Sequence, residues 1–314
     1  MEKTPIVVIV GPTASGKSNL AIELAKKLDA EIISFDSMQI YKGMHIASAA
    51  PNEEEKCGIK HHLLEFIEPT TNYSVADFVK LARETVEDIK SRGKGVIIAG
   101  GTGLYINSFI DNIIFNEEKT DPELRKKLNT EFDVLGGEKM LEKLGEFDPS
   151  YAQRLHPNNK NRIIRAFEIY LTTGVTMTEQ LELSKESESP YLPYMIGLDF
   201  EDREKLYERI DKRVDKMLSE GLLEEAERTF KMESFGTAVQ AIGHKEFFPF
   251  FKGEIDLTEA VELLKRQTRR YAKRQLTWFR RDKRINWIHL DKSEDALAEA
   301  QKILERNGYF GKTT

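Results

Sequence analysis

A glycine-rich motif near the start of the chain has the residue types and spacing of a phosphate-binding loop. Residues 11–18 read GPTASGKS and fit the pattern G-x-x-x-x-G-K-[ST]. In such a loop the backbone N–H groups point at a bound phosphate, the lysine adds a positive charge, and the final hydroxyl can coordinate Mg²⁺. The predicted phosphate-site residues are Gly11, Pro12, Thr13, Ala14, Ser15, Gly16, Lys17 and Ser18, with Ser18 as the metal ligand. Because ATP-binding proteins share this motif, it predicts a diphosphate or nucleotide ligand but does not define the reaction.

The acid that phosphate-loop NTPases use to hold Mg²⁺ is missing from its usual place. That acid ends an apolar strand, whereas the apolar run GVIIAGG ends in glycine and is followed by Thr102. Asp36 follows the second predicted strand instead, where it would act as a general base on a nucleophile that approaches the bound phosphates. Alternatively, Asp36 caps a helix or holds a water on Mg²⁺. Thr102, in GGTGLY, either faces the same ligand or only begins a helix.

Two arginines four residues apart could meet a diphosphate from another element. Arg209 and Arg213 in ERIDKRVDKM would share one face of a helix. They would clamp a diphosphate leaving group, or they would pair with the neighbouring acids Glu208 and Asp211. The spacing alone leaves both interpretations open.

The charge of the chain is unevenly distributed. The overall net charge of −6 argues mildly against a polyanionic partner. However, residues 265–284 contain ten Lys or Arg and one acid, which gives this segment +9 and leaves −15 for the rest. Helical spacing puts four cations on one side, with aromatic residues between them: Arg266, Arg270, Lys273 and Arg274. This pattern predicts nucleic-acid contact, unless it is an ordinary solvated face with its aromatics in the core.

The order of predicted elements indicates an α/β fold. Apolar runs that predict strands alternate with amphipathic helices, which is typical of a parallel sheet flanked by helices, as in phosphate-loop NTPases. The strands are expected near 4–11, 30–36, 61–67, 95–101, 194–200 and 285–290. Between them, residues 116–190 show helical periodicity and no convincing strand. We therefore predict a core domain of 1–115 and 191–314, ending in the basic helical region, and an all-helical insertion domain of 116–190.

Composition excludes several classes of protein. The chain has 314 residues and a single cysteine, so it is not a disulfide-framed secreted protein. No apolar run approaches the roughly 18 residues that a membrane span requires. We expect a cytoplasmic monomer that does not associate with a membrane.

Together the motifs resemble the bacterial tRNA dimethylallyltransferase family, also called tRNA isopentenyltransferase. The resemblance covers about residues 5–290 and rests on an ordered series of segments. In chain order these are GPTASGKS, DSMQIYKGM, GGTGLY, DPELR, DPSYAQRLHPNNKNRIIRAFE, RIDKRVDKM, QAIGHKE and TRRYAKRQLTWFR. The phosphate loop alone is shared by many families, whereas DSMQIYKGM and KRQLTWFR are specific. His244 departs from the pattern, because many relatives have tyrosine there.

The resemblance implies an activity and a set of site residues. It implies transfer of a dimethylallyl group from dimethylallyl diphosphate to the exocyclic amine of the adenosine 3′ of the tRNA anticodon, with Mg²⁺ required. The implied catalytic residues are Asp36, Lys17, Arg213 and Thr102. The implied tRNA contacts are Asp36, Ser37, Met38, Gln39, Thr102, Arg125, Asn161, Arg162, Arg165, Gln240, Gly243, His244 and Lys245.

Three alternatives use the same residues differently. A kinase of a small metabolite would bind ATP at the loop, but it would need an acid for Mg²⁺ and has no use for the basic segment. An adenylate isopentenyltransferase would prenylate free AMP or ADP. A non-catalytic RNA-binding protein would use the loop as a nucleotide switch. The basic segment and the long helical insertion favour a macromolecular acceptor.

Overall fold

A six-stranded parallel sheet carries the phosphate loop in the computed structural model, which describes residues 3–115, 121–232, 238 and 241–310. Its strands are β1 (Thr4–Val10), β2 (Ala30–Ser34), β3 (His61–His62), β4 (Gly95–Gly100), β5 (Tyr191–Asp199) and β6 (Asn286–His289). The order across the sheet is β3-β2-β4-β1-β5-β6, and every adjacent pair is parallel. The predicted α/β fold with a parallel sheet is confirmed.

Helices connect and cover the strands. They are α1 (Lys17–Leu28), α2 (His45–Ser48), α3 (Val75–Ser91), α4 (Gly103–Ile110), α5 (Pro122–Phe147), α6 (Pro149–Ala152), α7 (Lys160–Thr173), α8 (Met177–Glu186), α9 (Arg203–Ser219), α10 (Leu222–Phe230), α11 (Phe248–Phe251), α12 (Leu257–Phe279) and α13 (Ala296–Arg306), with a 3₁₀ turn at Lys245–Phe247. None of the helices in the described ranges has the length and apolarity that crossing a membrane requires.

The central strand β1 is buried on both faces. Residues 6–10 are all fully buried, which is why this run is continuously apolar rather than alternating. One face packs against Leu20 and Leu24 of α1, and Ile196 of β5 belongs to the same cluster. Because all strands are parallel, their carboxyl ends meet at one edge of the sheet. The phosphate loop after β1, Asp36 after β2 and Thr102 after β4 therefore converge there.

The chain divides into two compact units. The first comprises Met1–Ile110 and Pro190–Thr314, and the second is Asp111–Ser189. Within its described residues the second unit contains helices α5 to α8 and no strand. Its core includes Leu128, Met140 and Ile163, and Phe147 stacks on Tyr170 with ring centroids 4.0 Å apart. This packing gives the second unit an apolar core of its own.

The predicted strand at 61–67 is wrong beyond its first two residues. Leu63 and Glu65 have φ values of 60° and 47°, and these left-handed conformations break the extended chain. The backbone instead turns toward the segment after β2, where Ile40 accepts hydrogen bonds from the N–H groups of Phe66 and Ile67 at 2.9 and 3.0 Å. Apolar alternation alone does not reveal this pairing.

A buried carboxylate ties this short edge strand to the sheet. Glu31 in β2 is 7% exposed, and its Oε2 lies 2.6 Å from Nε2 of His62 in β3. Its two carboxylate oxygens also accept hydrogen bonds from Nη1 and Nη2 of Arg92, the second at 2.7 Å. The hydrogen bonds from Arg92 lower the pKa of Glu31 to about 2, although burial acts in the opposite direction. The carboxylate therefore stays ionised in the folded protein at acidic pH, where an unfolded chain would bind a proton.

We expect Glu31→Gln to lower the free energy of unfolding at pH 7 by about 2 kcal/mol, allowing for the partial exposure of Arg92. Because the folded pKa lies below the unfolded value of 4.5, the stabilisation is complete above pH 4.5 and is lost as the pH falls toward 2. Urea denaturation of both proteins at pH 7 and near pH 3 would measure this. A stability difference that does not shrink at the lower pH would contradict the assignment.

Candidate active site

A cavity of about 440 Å³ opens at the carboxyl edge of the sheet. The phosphate loop contributes Thr13, Lys17 and Ser18 to its wall. The segment after β2 contributes Asp36, Ser37, Met38 and Gln39, the end of β4 contributes Gly100 and Gly101, α9 contributes Arg213, and α12 contributes Thr268, Tyr271, Arg274 and Gln275. The structure thus brings Lys17, Asp36 and Arg213, which are far apart in sequence, to one space.

Two glycines give the phosphate loop its shape. Gly11 has a φ of 146°, and a Cβ there would lie 2.5 Å from the Leu198 carbonyl oxygen of β5. Gly16 precedes α1 in the left-handed region, with a φ of 84°. Both positions therefore require glycine, and the loop is held directly on the sheet at the N-terminus of α1.

The electrostatics of the loop favour an anion. Lys17 donates a hydrogen bond to the Pro12 carbonyl oxygen at 2.6 Å. Burial and, to a smaller extent, the nearby Arg213 guanidinium lower the pKa of Lys17 to about 7, although Asp36 acts in the opposite direction. Burial also lowers the pKa of Arg213. Two cations thus face one carboxylate in the cavity, and a bound diphosphate would compensate the excess positive charge.

The two arginines of α9 have different roles. Arg213 lines the cavity, whereas Arg209 donates from Nε to the Ala14 carbonyl oxygen at 2.9 Å and lies over the Phe200 ring. Neither arginine forms an ion pair with Glu208 or Asp211 in the described part of the chain. Asp211 binds Arg269 instead. Arg213 therefore faces the cavity, while Arg209 supports the backbone of the loop.

Asp36 belongs to a hydrogen-bonded turn that includes Thr102. One Asp36 carboxylate oxygen accepts the Met38 N–H at 2.9 Å, and no helix begins there. The Thr102 hydroxyl accepts the Ser37 N–H at 3.0 Å. The second Asp36 oxygen has no hydrogen-bond partner within the residues that the structure describes. It is the oxygen available to an incoming ligand.

The side chains of Gln39 and His244 form hydrogen bonds with other groups of the protein. The Gln39 amide accepts from the Ser34 hydroxyl at 2.6 Å and donates to the Ser48 and Ala49 carbonyl oxygens at 3.2 and 3.0 Å. His244 is 2% exposed, and its Nε2 lies 2.8 Å from a Glu225 carboxylate oxygen. Gln39 lines the cavity, whereas His244 is buried beside Glu225. Their bonded polar atoms are occupied by protein partners, so those atoms are not presented to a ligand in this structure.

The turn around His244 is also packed closely. Gly243, with a φ of 119°, faces Ala47 so tightly that a Cβ would lie 2.8 Å from the Ala47 Cβ. Gly243 and Lys245 line the cavity. Gln240, the remaining predicted contact of this segment, lies outside the described residues.

The basic helix α12 has two kinds of cation. Arg266, Arg270, Lys273 and Arg274 are exposed, and no acid pairs with any of them among the residues described. By contrast, Lys265 and Arg269 bind Asp215 and Asp211 of α9, each at 2.7 Å. Arg274 lies over the Tyr271 ring, 5.6 Å from its centroid. The four exposed cations form a surface stripe without carboxylate partners, as phosphate contact requires.

The predicted contacts in the second unit cluster around one acid. Arg125 and Arg165 lie 3.5 and 3.6 Å from the same carboxylate oxygen of Glu168, which is 4% exposed. Asn161 and Arg162 are exposed on α7. One buried carboxylate thus pairs with two guanidinium groups.

Three polar residues of α12 that line the cavity were not predicted from the sequence as site residues. Thr268, Tyr271 and Gln275 lie on the inner face of α12, the last of them 5% exposed. Burial raises the pKa of the Tyr271 phenol, although a hydrogen bond with Thr102 acts in the opposite direction. Polar residues at helical spacing on a face expected to be apolar are the signal that could have identified them.

Comparison with known proteins agrees with this geometry. The family model described as IPP transferase matches residues 39–282. A curated tRNA dimethylallyltransferase of Acetivibrio thermocellus is 48% identical over 307 residues, covering 97% of this chain and 96% of that protein. Among solved structures, tRNA isopentenylpyrophosphate transferase from Bacillus halodurans has a TM-score of 0.70 and 40% identity, covering 98% of this chain and 96% of the other.

A third similar protein is more distant in sequence. A eukaryotic dimethylallyltransferase, described as acting on tRNA, has a TM-score of 0.80 and 29% identity, covering 98% of this chain and 79% of that one. The resemblance seen in the motifs is therefore confirmed across the chain. This chain belongs to the tRNA dimethylallyltransferase (IPP transferase) family of prenyltransferases.

Proposed function

We propose that this protein transfers the dimethylallyl group of dimethylallyl diphosphate to the exocyclic amine of the adenosine 3′ of the anticodon in tRNA. The observation that carries the proposal is the arrangement of Lys17, Arg213 and Asp36 in one cavity at the phosphate loop. It provides cations for a diphosphate and a carboxylate for the acceptor. The names of the relatives, tRNA dimethylallyltransferases, support the same conclusion.

In the proposed reaction, a C–N bond forms as a C–O bond breaks. The amine attacks the allylic carbon, and the electrons of the C–O bond leave with the diphosphate. Lys17 and Arg213 would stabilise the negative charge that develops on the leaving oxygen. In the protein without a ligand the pKa of Lys17 is about 7, so a bound anion would favour the protonated form of this lysine.

Asp36 would act on the acceptor. The exocyclic amine of adenine is a weak nucleophile, because its lone pair is delocalised into the ring. The Asp36 oxygen that has no partner in the described residues would accept an amine proton, while Thr102 holds the turn at the Ser37 N–H. Since the general base adds only part of the rate, close placement of amine and allylic carbon must supply much of the rest.

The residues at the cavity fit Mg²⁺ that arrives with the diphosphate. Ser18 presents a hydroxyl oxygen to the space where the diphosphate would lie, whereas the described residues contain no group of three or more His, Cys, Asp or Glu that would hold a metal alone. Mg²⁺ typically uses one or two protein oxygens together with phosphates and waters. When bound, it would neutralise charge on the leaving diphosphate.

The adenine must leave the stacked anticodon loop to reach the cavity. We assign its surroundings to Ser37, Met38 and Thr102, and the phosphate contacts to the exposed stripe of α12. In the second unit, Arg125, Asn161, Arg162 and Arg165 would contact the tRNA as well. We place the protein in the cytoplasm, where its tRNA substrate would be. We also propose that it acts as a monomer, since each step above uses residues of a single chain.

The kinase alternative lacks support at the strand where it needs an acid. The end of β4 contributes Gly100 and Gly101 to the cavity and no carboxylate. Transfer to free AMP would leave the four cations of the α12 stripe without a function. A tRNA acceptor accounts for both features.

The decisive test is prenyl transfer itself. We expect the purified protein with dimethylallyl diphosphate and Mg²⁺ to add one dimethylallyl group to unmodified tRNA, at the adenosine 3′ of the anticodon, as detected by nucleoside mass spectrometry. Asp36→Asn should lower turnover by about 100-fold or more, because it removes the proton acceptor, while tRNA affinity stays within a few-fold.

Asp29→Asn is a matched control, since this exposed acid lies at the far end of α1 and its variant should keep the wild-type rate. Modification of free AMP but not tRNA would refute the tRNA assignment. A near-normal rate for Asp36→Asn would remove Asp36 from the chemistry.

The α12 stripe gives a separate prediction. Replacing Arg266, Arg270, Lys273 and Arg274 by Ser should weaken tRNA binding and reduce the log–log slope of affinity against salt by about 0.7–0.9 for each phosphate that the variant no longer neutralises. Filter binding between about 50 and 200 mM salt would measure the slope. Removing four exposed lysines elsewhere, Lys26, Lys27, Lys292 and Lys302, is the charge-matched control. Equal slopes for the two variants would show that the stripe is an ordinary solvated face.

A further inference from the structure

One buried amide joins the two loops that meet at the cavity. The Gln275 side chain of α12 accepts the Thr13 N–H at Oε1, 2.8 Å away, and donates from Nε2 to the Gly101 carbonyl oxygen at 3.1 Å. Thr13 belongs to the phosphate loop, and Gly101 belongs to the turn between β4 and α4. Both partners are backbone groups, so the amide fixes the positions of two chain segments rather than two mobile side chains.

The contact between α12 and the segment that begins at Gly101 is close, because the glycines there leave room for the Gln275 amide and the Trp278 ring. A Cβ at Gly101 would lie 2.1 Å from Gln275 Nε2 and 3.9 Å from an Asp36 carboxylate oxygen. A Cβ at Gly103 would lie 2.2 Å from Cδ1 of Trp278, one turn further along α12. Trp278 also donates from Nε1 to Asn107 of α4 at 2.8 Å. Two residues of α12 about one helical turn apart, Gln275 and Trp278, therefore contact the segment from Gly101 to Asn107.

Each end of the Gln275 bridge holds groups that serve a different substrate. At one end is the phosphate loop with Lys17. At the other, Gly101 precedes Thr102, whose hydroxyl accepts the Ser37 N–H next to Asp36. The Gln275 amide thus links the phosphate loop directly to the segment that supports the proposed proton acceptor.

We propose that Gln275 is a positioning residue for prenyl transfer, which sets the spacing between the phosphate loop and the Asp36–Thr102 turn. This inference rests on the proposed function. Gln275 contacts neither reacting atom and acts through Thr13 and Gly101. Its effect is on the alignment of the allylic carbon with the amine, to which the rate is sensitive because small misplacements are costly.

The chemistry of the two contacts requires an amide of this length. The Thr13 N–H needs an acceptor and the Gly101 carbonyl needs a donor, and one primary amide supplies both. Methionine has a similar shape but leaves both backbone groups without partners. Asparagine keeps the amide but is one methylene shorter, so it cannot reach both. The two variants therefore change chemistry and length separately.

The experiment compares Gln275→Met and Gln275→Asn with wild type, using Gln267→Met as the matched control. Gln267 lies two turns earlier on α12 and does not line the cavity. Three quantities are measured for each protein: the single-turnover rate of transfer to tRNA, the affinity for inorganic pyrophosphate with Mg²⁺, and the affinity for unmodified tRNA. Thermal unfolding identifies any variant that does not fold.

We expect both Gln275 variants to lose about 10- to 100-fold in the single-turnover rate, with both binding constants within about threefold of wild type. Gln267→Met should match wild type in all three measurements. A rate within threefold of wild type for Gln275→Asn would overturn the proposal, and so would a loss of pyrophosphate affinity as large as the loss of rate.

An equal loss in Gln267→Met would likewise overturn it, by showing a general effect on α12. If Gln275→Met does not fold, Gln275→Asn alone decides, because it keeps a polar amide at the site. Failure of the wild-type protein to modify tRNA would refute the proposed function instead, so the two failures are distinguishable.

Discussion

Two cations held together at the base of the cavity are the constraint on which the rest of the structure depends. Lys17 and Arg213 come from elements far apart in sequence, and the pKa of each is lowered, chiefly by burial. Asp36 alone does not balance them. Such an arrangement is unfavourable in a folded protein unless a ligand supplies negative charge. The site is therefore organised for an anion before the anion arrives, which is what a leaving diphosphate requires.

The parallel sheet and α12 together maintain this arrangement. The sheet brings the phosphate loop, Asp36 and Thr102 to one edge, and Gly11 lets the loop approach β5 closely. Helix α12 forms one wall of the cavity with its inner face and carries the exposed cations on its outer face. Its outward cations lack acidic partners in the described ranges, while Gln275 and Tyr271 face the cavity. One helix thus joins the proposed tRNA surface to the site of the chemistry.

Local motifs could be predicted from sequence, whereas long-range contacts could not. The phosphate loop is encoded within eight residues, and the position of Asp36 follows from parallel strands that end at one edge. Arg209 and Arg213 have the same local pattern, and only the packing of α9 against the loop distinguishes them. Gln275 contacts Thr13 across 262 positions, so no local pattern reveals it. His244 was expected from the resemblance to contact tRNA, and only the structure shows that it is buried and paired with Glu225.

Net charge was the least informative sequence property. The value of −6 averages over surfaces that a polyanion never meets. Ion pairs with α9 occupy Lys265 and Arg269 and leave four neighbouring cations for another partner. Only the structure separates these two groups, because both recur at helical spacing in the same segment.

Direct titration of Lys17 tests the central claim. NMR of lysine side chains labelled at Cε would follow each amine with pH in the free protein, and Lys17→Arg would assign the signal. We predict a midpoint of about 7 for Lys17 and a rise in the Lys17 midpoint when pyrophosphate is added. A Lys17 midpoint near its ordinary value of 10.5 in the free protein would contradict the account, because it would show that burial and the neighbouring Arg213 do not disfavour the charged lysine.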